Sequence, residues 1–284
     1  EPIFIDIDEK DLNIDLDKIE ETLKINNSKK LKAIIVNHMG GQTVDLDRLY
    51  EIAKHYDVKI IEDASESFGT KYKGQEIGNT GADITVMSFH NHLKKDVSRG
   101  GILLTNDEKI SKRARLLSSH GMTWHDDEDR TLNYIYDVVD IGCQYNISEL
   151  DAAYALAKMH KLDDSLERRL EIANIYKKKL AKITHLSMFE YNDQHTFDLF
   201  IIKIDRNRDS FARELKNEGI ETALHYIPFN LLSYYKTKYS LRVNDFPVAL
   251  KNYQQVLSLP IYHAMSDENV ELVCQKVLKV SKHY

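Results

Sequence analysis

Two strand-like segments of this chain end in side chains that could act together on a cofactor. Residues 58–69 read VKIIEDASESFG, and residues 86–104 read VMSFHNHLKKDVSRGGILL. Each begins as an apolar, β-branched run, which predicts a buried parallel strand that delivers the next side chains to the carboxyl edge of a sheet. The first strand delivers Asp63, and the second delivers Ser88, followed by Lys94. An acid, an anion-binding hydroxyl and a lysine are what pyridoxal phosphate needs at its ring nitrogen, its phosphate and its aldehyde.

The elements around these segments alternate between strand and helix, which is typical of a parallel sheet with crossover helices. Besides the two site strands, the first half predicts strands at 3–7, 33–36 and 102–105. It also predicts helices, which lie at 16–23, 45–56 and 108–117. These elements place the acid and the hydroxyl on neighbouring strands of one sheet.

The pattern changes at residue 147, where apolar residues keep helical spacing through residue 183. We predict one long or broken helix there, with Ser148 as its N-cap and with small residues that let it pack closely. Those small residues are Ala152, Ala153, Ala155 and Ala157. Beyond it we predict strands at 199–204 and 223–226 and a helix at 270–280. This division predicts a large cofactor-binding domain at 1–160 and a smaller domain at 161–284.

Composition excludes several classes of protein. The chain has 284 residues, of which 42% are hydrophobic, with 11 Gly and 4 Pro, so it is long enough for one large core and a smaller domain. Its 39 basic and 45 acidic residues are interspersed and give a net charge of −6, which argues against a nucleic-acid partner. Neither a signal peptide nor an apolar stretch of membrane length is present, so we expect a cytoplasmic chain with no membrane partner.

Metal binding is not expected either. Cys143 and Cys274 lie far apart, which predicts neither a disulfide framework nor a cysteine zinc site. His90 and His92 would share one face of a strand, but the 12 histidines of the chain form no known ligand motif.

A series of ordered segments carries a resemblance to a known family. The segments are EPIFIDID at Glu1, IIEDASESFG at Ile60, YKGQEIGNTGAD at Tyr72, SHGMTW at Ser119, YDVVDIGCQYNISELDAA at Tyr136, HYIPFN at His225 and LSLPIY at Leu257. They resemble the DegT/DnrJ/EryC1/StrS family of sugar aminotransferases. The resemblance implies an α/β fold of fold-type I, with a mostly parallel central sheet, flanking helices and a smaller C-terminal α/β domain. It also implies pyridoxal phosphate as cofactor and a homodimer whose sites are built from two subunits.

The same resemblance implies a reaction. Members of the family move an amino group from glutamate to a nucleotide-linked keto-sugar, in surface-polysaccharide or glycan biosynthesis. The partners expected for this chain are therefore glutamate and a nucleotide-sugar.

Several site residues follow from the resemblance. Asp63 matches the acid at the ring nitrogen, and Ser88 matches the serine that donates to the cofactor phosphate. Glu66 stands where much of the family has Gln beside the cofactor's 3-oxygen. Gln144 stands where the family has an Asn that reaches across the dimer to the partner's cofactor phosphate. Three of them have a structural alternative: Asp63 could cap a helix, Glu66 could be a solvated acid, and Ser88 could satisfy the loop backbone.

Two further matches concern the substrate. His225 and Tyr226 match the family's H-Y-x-P segment near the substrate, although a structural histidine and a core tyrosine are equally compatible with the sequence. Asn146 replaces the Arg that follows in the Gln144 motif, which removes a planar fork suited to phosphate or carboxylate.

The lysine motif departs from the family pattern. The family reads S-F-x-x-x-K with a glycine pair eight residues after the lysine, and this spacing falls on Leu93. Lys94 is one residue later and is followed by Lys95. Three interpretations remain: Lys94 reaches the cofactor through a shifted loop, a neighbour such as His92 performs different chemistry, or the site is dead. In the last case the chain is a non-catalytic or degenerate member that acts as a partner subunit. The second has a loose parallel in the family's lysine-free sugar 3-dehydratases, which use free pyridoxamine phosphate.

The start of the chain differs as well. It begins at Glu1, whereas in the family a strand like EPIFIDID follows roughly a quarter of the enzyme, including a small-residue loop that cradles the phosphate. We therefore expect either a fragment or an upstream partner that supplies this loop.

Overall fold

The computed structural model describes residues 1–26, 30–89, 99–124, 136–191 and 194–284. Their helices are α1 (Leu16–Ile25), α2 (Leu46–Tyr56), α3 (Glu108–Ser118), α4 (Glu149–Met159), α5 (Leu162–Leu180), α6 (Arg208–Asn217), α7 (Ser233–Lys238), α8 (Pro247–Gln255) and α9 (Asp267–Val280). Their strands are β1 (Ala33–Asn37), β2 (Lys59–Asp63), β3 (Lys71–Tyr72), β4 (Gln75–Glu76), β5 (Ile84–Ser88), β6 (Gly101–Leu104), β7 (Met122–Trp124), β8 (Tyr136–Val138), β9 (Leu186–Met188), β10 (Phe200–Ile204) and β11 (Val256–Leu259).

A four-stranded sheet in the order β1-β2-β5-β6 organises the first half of the chain. β1, β2 and β5 are parallel, and β6 runs antiparallel to β5. The predicted mostly parallel central sheet is thus confirmed, with its last strand reversed. Helices α1 and α2 begin at the aspartate N-caps Asp15 and Asp45, whose carboxylates accept backbone N–H groups of the first turn. Their apolar faces pack on one side of the sheet and form its core.

The second half has its own sheet and core. Strands β9, β10 and β11 form an antiparallel sheet in the order β11-β10-β9. Four of the five residues of β10 are buried, and three of them, Phe200, Ile202 and Ile204, pack with apolar residues of α5, α6 and α9. A small third cluster joins Leu12, near the start of the chain, to Leu199 and Ile201.

Several sequence predictions differ from the structure. Residues 3–7 form no regular strand and make a single bridge, from Ile7 to Ile14, and residues 223–226 make one bridge, from Ala223 to Ser258. The long helix is broken between α4 and α5. At the break the N–H of Lys161 donates to the carbonyl of Lys158, three residues earlier, which is the hydrogen bond of a 3₁₀ turn. Ser148 is its N-cap, as predicted. Of the four small residues expected to pack closely, only Ala155 is buried.

Asp6 explains how residues 3–7 are held in place although they form no strand. Its carboxylate is buried and accepts the N–H groups of Val248 and Ala249, at 3.0 and 2.9 Å, in the first turn of α8. Lys18 Nζ lies 3.2 Å from the same carboxylate. A negative charge at the positive end of a helix is favourable, so this acid caps a helix more than two hundred residues away in sequence.

Replacing this cap by alanine (Asp6→Ala) is expected to lower the free energy of unfolding by about 2–4 kcal/mol, because two helix N–H groups lose their acceptor in a buried place. Urea unfolding followed by circular dichroism measures the change. Asp8→Ala is the matched control, since the Asp8 carboxylate accepts a local N–H, from Lys10. Equal destabilisation by the two variants would contradict the capping role.

Among the described helices, none combines the length and the apolar character needed to cross a membrane.

Candidate functional site

The carboxyl ends of β2 and β5 lie side by side at one edge of the sheet. Asp63 is opposite Val86 in the parallel register, and Ser88 follows two residues later. Because side chains alternate along a strand, Asp63 and Ser88 occupy the same face, with their Cα atoms about 8 Å apart. Both are half-buried, whereas Glu62 and Met87 point into the buried core on the other face. The structure therefore brings the predicted acid and the predicted hydroxyl to one face of one edge.

Asp63 accepts hydrogen bonds on one of its two carboxylate oxygens. Oδ1 accepts the backbone N–H of Ser65 at 3.1 Å and its hydroxyl at 2.6 Å. Among the described residues, no donor is recorded on Oδ2. This local bond orients the carboxylate at the strand end and leaves one oxygen available to a ligand in the described part of the chain.

Glu66 joins two distant parts of the chain. Oε2 accepts the N–H of Gly40 at 2.8 Å, and Oε1 accepts the Tyr226 hydroxyl, so both oxygens have protein donors and the side chain is not a solvated acid. Burial raises the pKa of Glu66, and the negative charges of Asp198 and Asp63 add to the increase, against the two hydrogen bonds that lower it. Burial also raises the pKa of Tyr226, and the Glu66 carboxylate beside it adds to this increase, so the phenol stays a donor.

The turn after β1 was not singled out by the sequence analysis, yet it holds Glu66. Gly40 has a φ of +61°, and its carbonyl accepts the N–H of Asp198 at 3.0 Å. Gly41 has a φ of +98°, and a side chain there would meet the Thr196 hydroxyl, so glycine is required. The Gly-Gly pair that follows the predicted strand at 33–36 after three residues is the signal that could have found this turn.

Asp198 completes the acidic surroundings of Glu66 and is itself paired. Arg169 donates from Nη1 to Asp198 Oδ1 at 2.9 Å, and the arginine side chain is almost fully buried. This ion pair links α5 to the segment before β10, next to the Gly40 turn.

Lys94, Leu93, His92 and Lys95 lie outside the described residues, so the catalytic lysine stays a prediction. The described residues on either side of this segment meet at the site: the N–H of Phe89 donates to the Gly100 carbonyl at 3.0 Å. Helix α4 holds both flanks, because Lys158 Nζ donates to the Phe89 carbonyl at 3.2 Å and the N–H of Arg99 donates to Asp151 at 2.9 Å. The described residues that flank positions 90–98 therefore lie next to each other, directly after Ser88.

The structure does not bring every predicted residue to this edge. Gln144 is exposed and bridges to Ser119. His225 is buried and its Nδ1 lies 2.7 Å from the Ser258 hydroxyl, while burial, with a smaller effect of Arg208, lowers the pKa of His225 to about 4. Only Tyr226 of the predicted substrate pair is exposed, at 42%. The roles of Gln144 and His225 remain predictions.

The described residues hold no group of three His, Cys, Asp or Glu side chains placed to bind a metal ion.

An α/β chain with Asp63 and Ser88 on one face of the sheet edge has the architecture of the fold-type I aminotransferases. The crystal structure of the aminotransferase TlmJ from Streptoalloteichus hindustanus matches all of this chain and 74% of its own, with a TM-score of 0.86 and 26% identity. This chain is therefore of the class of the pyridoxal phosphate dependent sugar aminotransferases.

The chain belongs to the DegT/DnrJ/EryC1/StrS aminotransferase family, whose model matches residues 1–278. It is 34% identical to the spore coat polysaccharide biosynthesis protein SpsC of Bacillus subtilis, over 99% of this chain and 74% of that protein. It is 30% identical to the UDP-4-amino-4-deoxy-L-arabinose–oxoglutarate aminotransferase of Shewanella sediminis, over 98% of this chain and 73% of that protein. The chain thus spans about three quarters of the length of these relatives.

Proposed function

We propose that this chain transfers an amino group from glutamate to the ketone of a nucleotide-linked sugar in the biosynthesis of a surface polysaccharide or glycan. The observation that carries the proposal is the placement of Asp63 and Ser88 on one face of the sheet edge where Phe89 and Gly100 also meet. The relatives add support, because one is named for a UDP-sugar and oxoglutarate and another for polysaccharide biosynthesis.

The residues at this edge fit pyridoxal phosphate. When bound, the cofactor supplies an aldehyde that carries the amino group and a ring that withdraws electrons from the reacting carbon. Asp63 would accept a hydrogen bond from the ring nitrogen with the oxygen that has no recorded donor in the described chain, and its charge would keep that nitrogen protonated. Ser88 would donate to the phosphate. Glu66, held between Gly40 and Tyr226, would lie near the 3-oxygen.

Lys94 is the residue that we propose for the proton transfers. A lysine amine can hold the cofactor through its aldehyde and, once displaced by glutamate, can move a proton between the two carbons that exchange the amino group. Asp63 favours this transfer by stabilising the electron-withdrawing form of the ring. Tyr226 is proposed to contact the sugar, because it is exposed beside Glu66.

Transfer of a heavy nitrogen isotope from labelled glutamate to a nucleotide keto-sugar tests the proposal. A panel of UDP- and dTDP-linked keto-sugars is incubated with the purified chain and the cofactor, and mass spectrometry measures label in the sugar. Label in an amino-sugar together with 2-oxoglutarate is the expected result. Bound cofactor without transfer to any sugar would instead favour a lysine-free, dehydratase-like reaction, and absence of cofactor binding would favour a non-catalytic partner subunit.

A homodimer is part of the proposal, because a stretch of the described chain leaves many apolar side chains uncovered. Those more than half exposed include Val138, Val139, Ile141, Tyr145, Leu150 and Leu156, with Ile141 at 92% and Leu150 at 85%. Helix α4 has one buried residue, Ala155. An apolar surface of this kind marks an interaction site, and we propose that a second copy covers it. The exposed Gln144 lies in the same stretch, as its proposed role toward the partner's cofactor requires.

Leu150→Glu is expected to convert the dimer to a monomer, since a carboxylate would be buried in an apolar interface. Light scattering after size exclusion measures the mass. Leu272→Glu is the matched control, because Leu272 is 43% exposed on α9, away from this stretch. A wild-type chain that is monomeric at micromolar concentration would contradict the dimer. A Leu150→Glu variant that keeps the mass of a dimeric wild type would contradict the placement of the interface at this stretch.

Two further expectations join this proposal. We propose that 1–160 forms the large cofactor-binding domain and 161–284 the smaller one, in keeping with the separate sheets and cores of the two halves. A cytoplasmic location remains a prediction.

A further inference from the structure

Glu62, the residue before Asp63, is a fully buried carboxylate on the opposite face of β2. Burying a charge is unfavourable unless donors surround it. Glu62 matches none of the site residues that the family resemblance implies, and it does not face the cofactor side of the sheet. Its presence in the core therefore needs a separate explanation.

Four donor groups surround this carboxylate. The Tyr50 hydroxyl donates to Oε1, and the hydroxyls of Thr80 and Thr85 lie 3.5 Å from Oε2. His38 Nε2 also lies 3.5 Å from Oε2, with both side chains fully buried. Burial and the neighbouring carboxylate raise the pKa of Tyr50, so its hydroxyl remains a donor. Both oxygens of the buried carboxylate therefore have polar neighbours.

The ring of His38 is held between this anion and the backbone. Nδ1 accepts the N–H of Val44 at 3.4 Å, so Nε2 is the ring nitrogen that carries an N–H group. That N–H group faces Glu62, but the contact is too long or too poorly aligned to count as a hydrogen bond. The interaction is therefore mainly electrostatic, and it fixes which way the ring points.

The backbone of His38 reaches both sides of the candidate site. Its N–H donates to the Asp63 carbonyl at 3.2 Å. Its carbonyl accepts the N–H of Gly41 at 3.3 Å and the hydroxyl of Ser67 at 3.1 Å. Gly40, inside this turn, donates to Glu66. One residue thus ties the end of β2, the Gly40 turn and the loop that carries Glu66.

We infer that Glu62 and His38 are positioning residues, which hold Asp63 and Glu66 in the geometry that the cofactor requires. The buried anion orients the His38 ring, and the His38 backbone then fixes the two cofactor-facing acids. The inference rests on the proposed function, because it concerns the site for pyridoxal phosphate. Neither residue would touch the cofactor.

The main test replaces the anion by its neutral isostere, Glu62→Gln. In the cofactor-free chain, hydrogen–deuterium exchange is expected to speed up in segments 37–42 and 63–68 and to stay unchanged in α9. The dissociation constant of pyridoxal phosphate, measured by fluorescence titration, is expected to rise at least about tenfold. The visible absorbance of the bound cofactor is expected to change as well, because a displaced Asp63 no longer holds the ring nitrogen. Glu76→Gln is the matched control, an exposed acid on β4.

Two variants of His38 separate positioning from a general loss of packing. His38→Gln keeps an N–H group within reach of Glu62 and is expected to retain most of the affinity for the cofactor, whereas His38→Leu fills the space without a donor and is expected to lose it. Both residues act through one contact. The loss of binding free energy for the cofactor in the double variant, His38→Leu with Glu62→Gln, is therefore expected to be smaller than the sum of the losses in the two single variants.

Each outcome is decisive. A wild type that fails to bind pyridoxal phosphate overturns the proposed function and this inference with it. A wild type that binds, with Glu62→Gln unchanged in exchange, affinity and spectrum, overturns the inference alone. If Glu62→Gln does not fold, Tyr50→Phe removes a single donor to the same carboxylate, and unchanged affinity in that variant overturns the inference.

Discussion

Amino transfer is expected to fall at least about 10³-fold when Lys94 is replaced by alanine, because no other amine then moves the proton between the two carbons. Borohydride reduction of the wild type with bound cofactor, followed by peptide mass mapping, is expected to place a pyridoxyl group on Lys94. In the variant the adduct should be missing. The rate is measured by label transfer from glutamate to the sugar.

Lys95→Ala is the matched control for this experiment. It removes an adjacent amine of the same type and is expected to keep most of the activity and the adduct. The position of the adduct tests whether Lys94 takes the role of the lysine that the family pattern places at Leu93, one residue earlier. An adduct on Lys95, or full activity in Lys94→Ala, would contradict the assignment. Bound cofactor with no adduct in the wild type would favour the lysine-free alternative.

Asp63→Asn is expected to lower kcat about 10²–10³-fold, since the amide keeps the shape of the side chain but no longer holds the ring nitrogen protonated. The same substitution should change the visible absorbance of the bound cofactor, which reports the protonation of the ring. Binding is expected to weaken less than turnover, because the ring loses a charged partner while the other contacts remain.

An Asp→Asn substitution at another position checks that the loss of one negative charge does not by itself lower kcat. Asp57 is exposed at the end of α2 with a φ of +52°, a conformation that asparagine adopts readily, so Asp57→Asn is expected to leave kcat unchanged. If Asp63→Asn retained wild-type kcat and absorbance, Asp63 would not be the partner of the ring nitrogen.

Most regular elements of the first half could be predicted from the sequence, because their signals are local. The aspartates at 15, 45 and 107 precede amphipathic segments, and all three are N-caps of the helices that follow. The strands that carry Asp63 and Ser88 end where the apolar runs end. Residues 3–7 and 223–226 were wrongly predicted as strands, since alternation alone does not show whether a neighbouring strand is present to pair with.

The sequence by itself determined the parallel sheet, the helices that flank it, and the edge at which an acid and a hydroxyl meet. Only the tertiary structure decided that Glu66 bonds Tyr226, 160 residues away, that Asp6 caps α8, and that His38 faces Glu62. Periodicity and capping depend on neighbours within a few residues, whereas these contacts depend on how separate elements pack. A polar side chain looks the same in the sequence whether its partner is solvent, a helix end or a buried ring.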